Sequence, residues 1–355
     1  MLLRQVIAAL WVAAAPGDLL HIGSSPMGAI AFVADTRIPT RRRSQRGSRD
    51  FYRRLLTMIV TITGGTGFIG HALVRRLEAR GDTVRLLSRT RGPFLWNPLA
   101  GPPPAEALQD AGAVIHLSGE TVSQRWTPAA KQRIRQSRVA GTLNLVEGLR
   151  RLAQPPPVLV ASSAVGFYGD RGDEILDESS EPGSGFLPEV CQQWEDASNS
   201  ASALGVRVVT ERTGVVLHRS GGALAKMLLP FKLGLGGRLG SGLQWMPWLH
   251  LDDMVEIILF TIGNAAIGGP VNAVSPNPVQ NLDFVRSLAR ALGRPAIFPA
   301  PAFALRLAMG EMAEIVLGSQ RVLPRVLMQS GYQFRYASLD SALAGLFQSR
   351  SGMVN

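Results

Sequence analysis

The chain has 355 residues, of which 46% are hydrophobic and 18% charged, so a sizeable core forms and global disorder is excluded. A single cysteine, Cys191, excludes an intramolecular disulfide and a cysteine-rich zinc site. The net charge of +11 does not demand a nucleic-acid surface: residues 1–57 carry nine Arg and three Asp, a net +6, which leaves +5 for residues 58–355.

Residues 1–57 show no strand–helix order. Residues 6–15 are apolar behind Arg4, like the core of a signal peptide, and are too short to span a bilayer as a helix; residues 40–49 are rich in arginine. Two readings stand, a presequence or anchor, and a translation start at Met58. The second is the expectation, because the first strand follows Met58 without a linker.

Residues 59–62 form an apolar β-type run that enters Gly64-x-x-Gly67-x-x-Gly70. An amphipathic helical pattern follows over residues 71–80, and Gly81 stops it. Strand, glycine turn and helix N-terminus are the opening of a dinucleotide-binding unit: the glycines let the main chain approach a pyrophosphate, and the free N–H groups and positive dipole end of the helix hold it. Residues 83–88 predict the second strand. The position at its end, where an acid would grip the ribose hydroxyls of NAD, holds Ser88, followed by Arg89 and Arg91. A carboxylate there repels a 2′-phosphate and an arginine grips it, so NADP(H) is the expected cofactor.

Residues 113–117 predict a strand leading into Ser118-Gly119-Glu120. A long helix is expected over residues 128–152 with Val139, Leu143 and Val146 on one face, then a strand over 158–162, a helix over 188–204 and a strand over 206–210. Strands alternating with helices predict a parallel, doubly wound sheet. Glycine and proline cluster over residues 221–247, and beyond Gly269 the pattern is mixed, with helices near 282–292 and 303–317. The expected fold is α/β, a Rossmann doubly wound parallel sheet with a smaller C-terminal substrate lobe. The nucleotide-binding domain covers 58–218 and 244–272, and the lobe covers 219–243 and 273–355.

The motifs along this pattern are specific. They are Thr63-Gly-Gly-Thr-Gly-Phe-Ile-Gly70, His116-Leu-Ser-Gly-Glu120, Arg125-Trp-Thr-Pro128 and Arg138-Val-Ala-Gly-Thr142, then Ser162-Ser-Ala-Val-Gly-Phe-Tyr-Gly169, Phe186-Leu-Pro-Glu-Val-Cys-Gln-Gln-Trp-Glu195, Arg212-Thr-Gly214, Pro247-Trp-Leu-His-Leu-Asp-Asp253 and Gly318-Ser-Gln-Arg-Val-Leu-Pro324. From Met58 to about Phe347 the chain resembles the extended and atypical short-chain dehydrogenase/reductases, and within them the epimerase family proteins with their C-terminal domain of unknown function. The resemblance implies a Rossmann core, a nicotinamide cofactor and a small C-terminal lobe. It places the pyrophosphate on Gly64, Gly67 and Gly70, adds Thr66, Phe68 and Ile69 to the cofactor-binding residues, and puts the adenosine ribose at Ser88 and Arg89. Leu117, Ser118 and Gly119 fall beside the cofactor, and Ser162 and Ser163 near the nicotinamide.

The family's Tyr-x-x-x-Lys pair, in which the lysine lowers the phenol pKa, is absent. Four positions after Tyr52, Tyr168, Tyr332 and Tyr336 stand Leu56, Gly172, Tyr336 and Asp340, and the lysines are Lys131, Lys226 and Lys232. In the matching segment Leu187 takes the tyrosine position and Cys191 the lysine position. Candidate substitutes are Tyr168 and Ser163, each with a structural hydrogen bond as its alternative role. Glu120 and Glu189 are possible proton carriers or surface residues. Glu195 is expected to tie its helix to its neighbours, His250 to be structural, and Cys191 to be a small buried hydrophobe. The glycine-rich residues 234–242 lack a phosphate-loop lysine and predict a flap over the substrate side, with Trp245 and Trp248 lining the pocket or the core. No metal is expected. The reading is a cytoplasmic NADP(H)-binding oxidoreductase or epimerase acting by hydride transfer on a small carbonyl or carbinol compound, a sugar-nucleotide-like one among the candidates. A non-catalytic NADP(H)-binding sensor is the alternative. No nucleic-acid or membrane partner is expected, and a homodimer is left open.

Overall fold

Seven short apolar runs make the central layer. The computed structural model describes residues 57–347. The expectations for the N-terminal segment lie outside the described residues. The strands are β1 (Ile59–Thr63), β2 (Thr83–Ser88), β3 (Phe94–Leu95), β4 (Ala113–His116), β5 (Val158–Ala164), β7 (Arg207–Thr213) and β11 (Gly269–Ala273). They pair in parallel in the order β11-β7-β5-β4-β1-β2-β3. The order reverses between β1 and β4, and the crevice outside the carboxyl ends of the strands at such a switch point is where open α/β sheets take their ligands.

Side-chain alternation divides the core in two. Val60, Ile62, Ala113, Ile115, Val158, Val160 and Val209 face one side, beneath α1 (Phe68–Arg80) and α6 (Leu251–Gly263). Val114, Leu159, Ala161 and Val208 face the other, with α2 (Ala105–Leu108) and α3 (Pro128–Arg150) over them. Both faces are covered, which is why the strands read as continuous apolar runs. The ends of α1 follow its glycines: Gly67 opens it, and Gly81, at φ +92°, closes it with its N–H on the Glu78 carbonyl. Thr127 caps α3, its side chain accepting from the Ala130 N–H at 3.2 Å, with Pro128 in the first turn.

Three expectations shift. The buried stripe of α3 runs through Ile134, Thr142, Leu145, Val146 and Leu149; Leu143 faces solvent, because the pattern follows the sheet and not the most apolar triad. The next helix, α4 (Phe186–Asn199), starts earlier and ends earlier than expected, with a 3-10 turn at Ser200–Leu204. The predicted helix over 303–317 is broken by Gly310 at φ +64°, giving α8 (Ala302–Met309), a 3-10 turn and α9 (Glu314–Leu317).

The remaining elements pack at the carboxyl end of the sheet or beside it. Short pairs join β6 (Ile175–Leu176) to β13 (Arg321–Val322), β8 (Val215–Leu217) to β10 (Trp248–His250), and β9 (Trp245–Met246) to β12 (Val279–Gln280). A separate apolar cluster gathers α5 (Gly222–Lys232), α7 (Asn281–Leu292) and α11 (Leu339–Phe347) through Leu224, Phe231, Phe284, Leu288 and Leu343. The short α10 (Arg325–Gln329) adds Leu327 to the core under α6. Among the described residues no helix is long and apolar enough to cross a membrane.

Candidate functional site

The turn after β1 is shaped by what its glycines lack. Gly64 sits at φ +72°, and a Cβ there would come within 2.8 Å of the Leu117 and Ser118 main chain. A Cβ on Gly70 would fall 2.3 Å from the Gly64 carbonyl oxygen and 2.7 Å from the Gly65 Cα. The first turn of α1 has no side-chain cap and no acidic residue, and Thr66 and Gly67 are exposed. Its N–H groups and dipole therefore face outward beside the ends of β1 and β4, as an anion-binding helix start requires. Beneath this turn, the Thr63 hydroxyl bonds His116 Nδ1 at 2.7 Å, and Thr142 meets the other ring nitrogen at 3.0 Å. Burial drives His116 down to about 4, so it is a neutral strut.

Phe68 and Ile69 lean inward from the helix start, and Phe68 fills the space above Gly221. At the end of β2 the Ser88 hydroxyl accepts weakly from the N–H groups of Thr90 and Arg91, at 3.4 and 3.3 Å. Arg89 and Arg91 are exposed there. Leu117, Ser118 and Gly119 follow β4 directly, with Ser118 Oγ 3.1 Å from Thr63 Oγ1.

Along the same edge, past β5 and β7, lies a cleft of about 1070 Å³. Its walls come from residues 164–166 and 213–215, from the loop into α4 and from α8 and α9; Leu187, Cys191 and Arg138 lie on the α3–α4 side. Leu187 and Cys191, in the tyrosine and lysine positions, thus face the cleft with no acid–base group between them. Burial pushes the Cys191 thiol up to about 12, which leaves it neutral.

Tyr168 and Ser163 do not line this cleft. Tyr168 is fully buried, its hydroxyl 2.7 Å from Asn272 Oδ1 and 2.9 Å from the Asp177 carbonyl, and it accepts from Arg212 Nη1 at 3.0 Å. Burial raises its pKa to about 12 despite the nearby guanidinium. Ser163 donates to Glu195 Oε1 at 2.6 Å, and Glu195 takes Arg212 Nε and Nη2 in a two-point grip at 2.9 Å each. The Arg212 guanidinium also lies 3.5 Å from the Phe167 ring centroid. Both candidate proton donors are therefore bound into one buried network that ties β5, α4 and β7 together, the structural hydrogen-bonding role that is the alternative for each. What draws Tyr168 inward is the buried charge of Arg212, which needs every acceptor it can reach.

Glu189 is an exposed partner of Arg135 at 3.2 Å, and Glu120 accepts from Gln124 at 3.1 Å. His250 caps α6, accepting from the Asp252 N–H at 3.0 Å, and its ring stacks 4.0 Å from Tyr336. Trp248 is core, with Nε1 on the Asn277 carbonyl. Trp245 packs under the Arg321 guanidinium. The glycine-rich residues 234–242 are not part of the cleft wall. Main-chain bonds from Phe298 to Gly236, Ala300 to Arg238 and Gly240 to Ala300 stitch them to the segment before α8. Among the described residues no group of histidine, cysteine and acidic side chains has the geometry to hold a metal. Sequence reasoning passed over Arg138 as a site residue; its place in the Arg-Val-Ala-Gly-Thr motif was the available signal.

Known proteins share this arrangement. Residues 60–273 match the model of the NAD dependent epimerase/dehydratase family, and residues 300–346 match a domain of unknown function, DUF1731. The chain is 38% identical over 303 residues to the Arabidopsis thaliana epimerase family protein SDR39U1 homolog, chloroplastic, covering 82% of this chain and 87% of that one. It is 35% identical over 301 residues to the Bacillus subtilis epimerase family protein YfhF, covering 82% and 99%. Among solved structures, the human epimerase family protein SDR39U1 (isoform2) with NADPH superposes with a TM-score of 0.75 at 34% identity, over 82% of this chain and all of that one. The match over more than half of the chain and these identities show that the chain belongs to the NAD dependent epimerase/dehydratase family.

Proposed function

We propose that the protein binds NADP(H) and transfers hydride between the nicotinamide and a carbonyl or carbinol carbon of a small molecule. The observation that carries the cofactor half is the end of β2, where Ser88, Arg89 and Arg91 stand without a neighbouring acid beside an uncapped helix start. The cradle fits a pyrophosphate, since a side chain at Gly64 or Gly70 would fill the space through which the main chain approaches. NADPH in the human relative's structure supports the same choice. When bound, the cofactor supplies or accepts the hydride. The chain's own part is to hold the pyrophosphate on the α1 N-terminus, hold the 2′-phosphate at Arg89, and enclose the reacting carbon in the cleft by Leu187 and Cys191.

The test is a fluorescence titration with NADPH and NADH in parallel. Tight NADPH binding with much weaker NADH binding is expected. Equal affinities would remove Arg89 from the argument, and no binding of either would end the reading.

A second reading is favoured by a specific observation, the absence of a free acid–base pair in the cleft with Tyr168 and Ser163 tied into the Arg212 network. It is a NADP(H)-binding sensor without turnover. Oxidation of bound NADPH by a panel of aldehydes, ketones and quinones separates the two, since a sensor leaves all of them unreduced.

A further inference from the structure

The cleft contains a guanidinium held rigidly with its better edge unused. Arg138 projects from α3 between Gly119 and Trp194. Its Cζ lies 4.9 Å from the centroid of the Trp194 ring, and a Cβ on Gly119 would sit 3.3 Å from Cζ, so the glycine gives the guanidinium its space on that side. Nη1 donates to the Glu120 carbonyl at 2.8 Å and to the Ile134 carbonyl at 3.3 Å. These two bonds and the ring fix the plane of the group. Nε and Nη2, the edge that takes a carboxylate at two points, have no acceptor among the described residues, and no described carboxylate forms an ion pair with it. The other arginines of the cleft wall differ: Arg171 is bound to Glu174 and to the Glu181 carbonyl, and Arg306 is exposed.

The location matters as much as the vacancy of that edge. Arg138 shares the cleft wall with Leu187 and Cys191, the two side chains standing where an acid–base pair would be. Burial lowers the guanidinium's pKa, with the Cys191 and Glu120 side chains close enough to oppose that. An arginine stays charged nevertheless, and a half-buried guanidinium with no ion-pair partner favours a ligand that brings one.

We infer that Arg138 anchors the substrate, and that the substrate carries a carboxylate which the Nε–Nη2 edge grips beside Leu187 and Cys191. A carboxylate fits better than a phosphate dianion. A carboxylate's two oxygens match the one free two-donor edge, and Asp170 and Glu314 of the cleft wall oppose the second charge of a dianion. This rests on reading the cleft as the substrate half of a NADP(H)-binding protein.

The experiment is calorimetric titration of phenylglyoxylate, and separately of its methyl ester, into the NADPH-loaded full chain. It uses the wild type, Arg138→Met and Arg138→Lys, with the NADPH dissociation constant and the melting curve recorded for each. The acid should bind the wild type at least about 10-fold more tightly than the ester. Arg138→Met should lose roughly 30-fold or more in affinity for the acid and nothing for the ester, and Arg138→Lys should recover part of the loss, since it restores a point charge without the fork. NADPH affinity should stay within about twofold. Equal binding of acid and ester, no binding of the acid, or an unchanged acid affinity in Arg138→Met overturns the inference. So does competition by inorganic phosphate as strong as by the acid. A weakened NADPH affinity in a folded Arg138→Met also overturns it, by making Arg138 a cofactor ligand. If the wild type binds no NADPH, the proposed function fails instead, and the same acid titrated into the unloaded protein still decides the anchor.

Discussion

Replacing Tyr168 with Phe should cost stability and leave cofactor binding alone. The hydroxyl is buried, so its removal exchanges no contact with solvent. Of its three partners, two keep an alternative. The Asp177 carbonyl still accepts from the Ser180 N–H at 3.0 Å, and Arg212 Nη1 still reaches the Glu178 carbonyl at 3.4 Å while Nε and Nη2 hold Glu195. Asn272 Oδ1 is left without its 2.7 Å donor. One buried acceptor stripped of its partner costs about 1–3 kcal/mol. For a domain of this size that is a fall of roughly 3 °C in Tm at the middle of the range. Urea denaturation should show a lower midpoint with an unchanged slope, and the NADPH titration should be superposable on the wild type. Wild-type stability would show that the network is not carrying load at this hydroxyl. Wild-type stability together with a 100-fold slower oxidation of NADPH by any carbonyl the protein reduces would return Tyr168 to the chemistry.

Other perturbations read other parts of the molecule. Gly70→Ala places a Cβ 2.3 Å from the Gly64 carbonyl oxygen, so the turn must move; NADPH affinity should fall about 10-fold or more, by the same titration, with about 1–3 kcal/mol lost in denaturation. Arg89→Ala should weaken NADPH by about 10-fold and leave NADH unchanged, narrowing the ratio between them. Glu211, buried in β7, has its pKa raised to about 8 by desolvation, against the Thr261 hydroxyl that bonds it. Between its unfolded and folded values the native state binds more protons, so stability falls as pH rises toward 8 and is restored on acidification. His116 and His250 are held down near 4, so they cost stability only below about 6.5. From pH 6.5 to 8, above the range of these two histidines, the share of Glu211 is roughly 1.5 kcal/mol lost. Glu211→Gln should flatten that slope in urea titrations at several pH values, and an unchanged slope refutes the assignment.

Periodicity made the sheet legible because both its faces are covered, so β1, β4 and β5 are continuous apolar runs that nothing else in the sequence imitates. The glycine turn was legible for a different reason: positive φ at Gly64 and close approach at Gly70 admit no other residue without moving the backbone. Where a residue's role depends on partners far along the chain, the sequence was mute. Tyr168 follows β5 by a few residues, as a pocket residue would, but Asn272 and Arg212 reach it from 104 and 44 positions away and turn it inward. Residues 234–242 have the composition of a flap, and only their main-chain bonds to residues 298–300 show that they are pinned. Gly310 was readable as a glycine, yet the helical pattern on either side concealed that its φ divides α8 from α9.

Charge organises the residues around the cleft. With Leu187 and Cys191 in the tyrosine and lysine positions, no residue there lowers a phenol's pKa, and a phenol placed in the cleft would gain nothing from its surroundings. The nearest tyrosine in the chain, Tyr168, is bound to Arg212, where Glu195 and Ser163 complete the balance and leave no net charge exposed. Arg138 is different, a guanidinium with carbonyl partners and no carboxylate among the described residues. With Arg138 holding a substrate carboxylate, a proton moved in this cleft comes through water or from Glu120, whose main-chain carbonyl Arg138 bonds. Glu120→Gln then discriminates: a turnover that survives it, with Arg138 intact, assigns the proton to water.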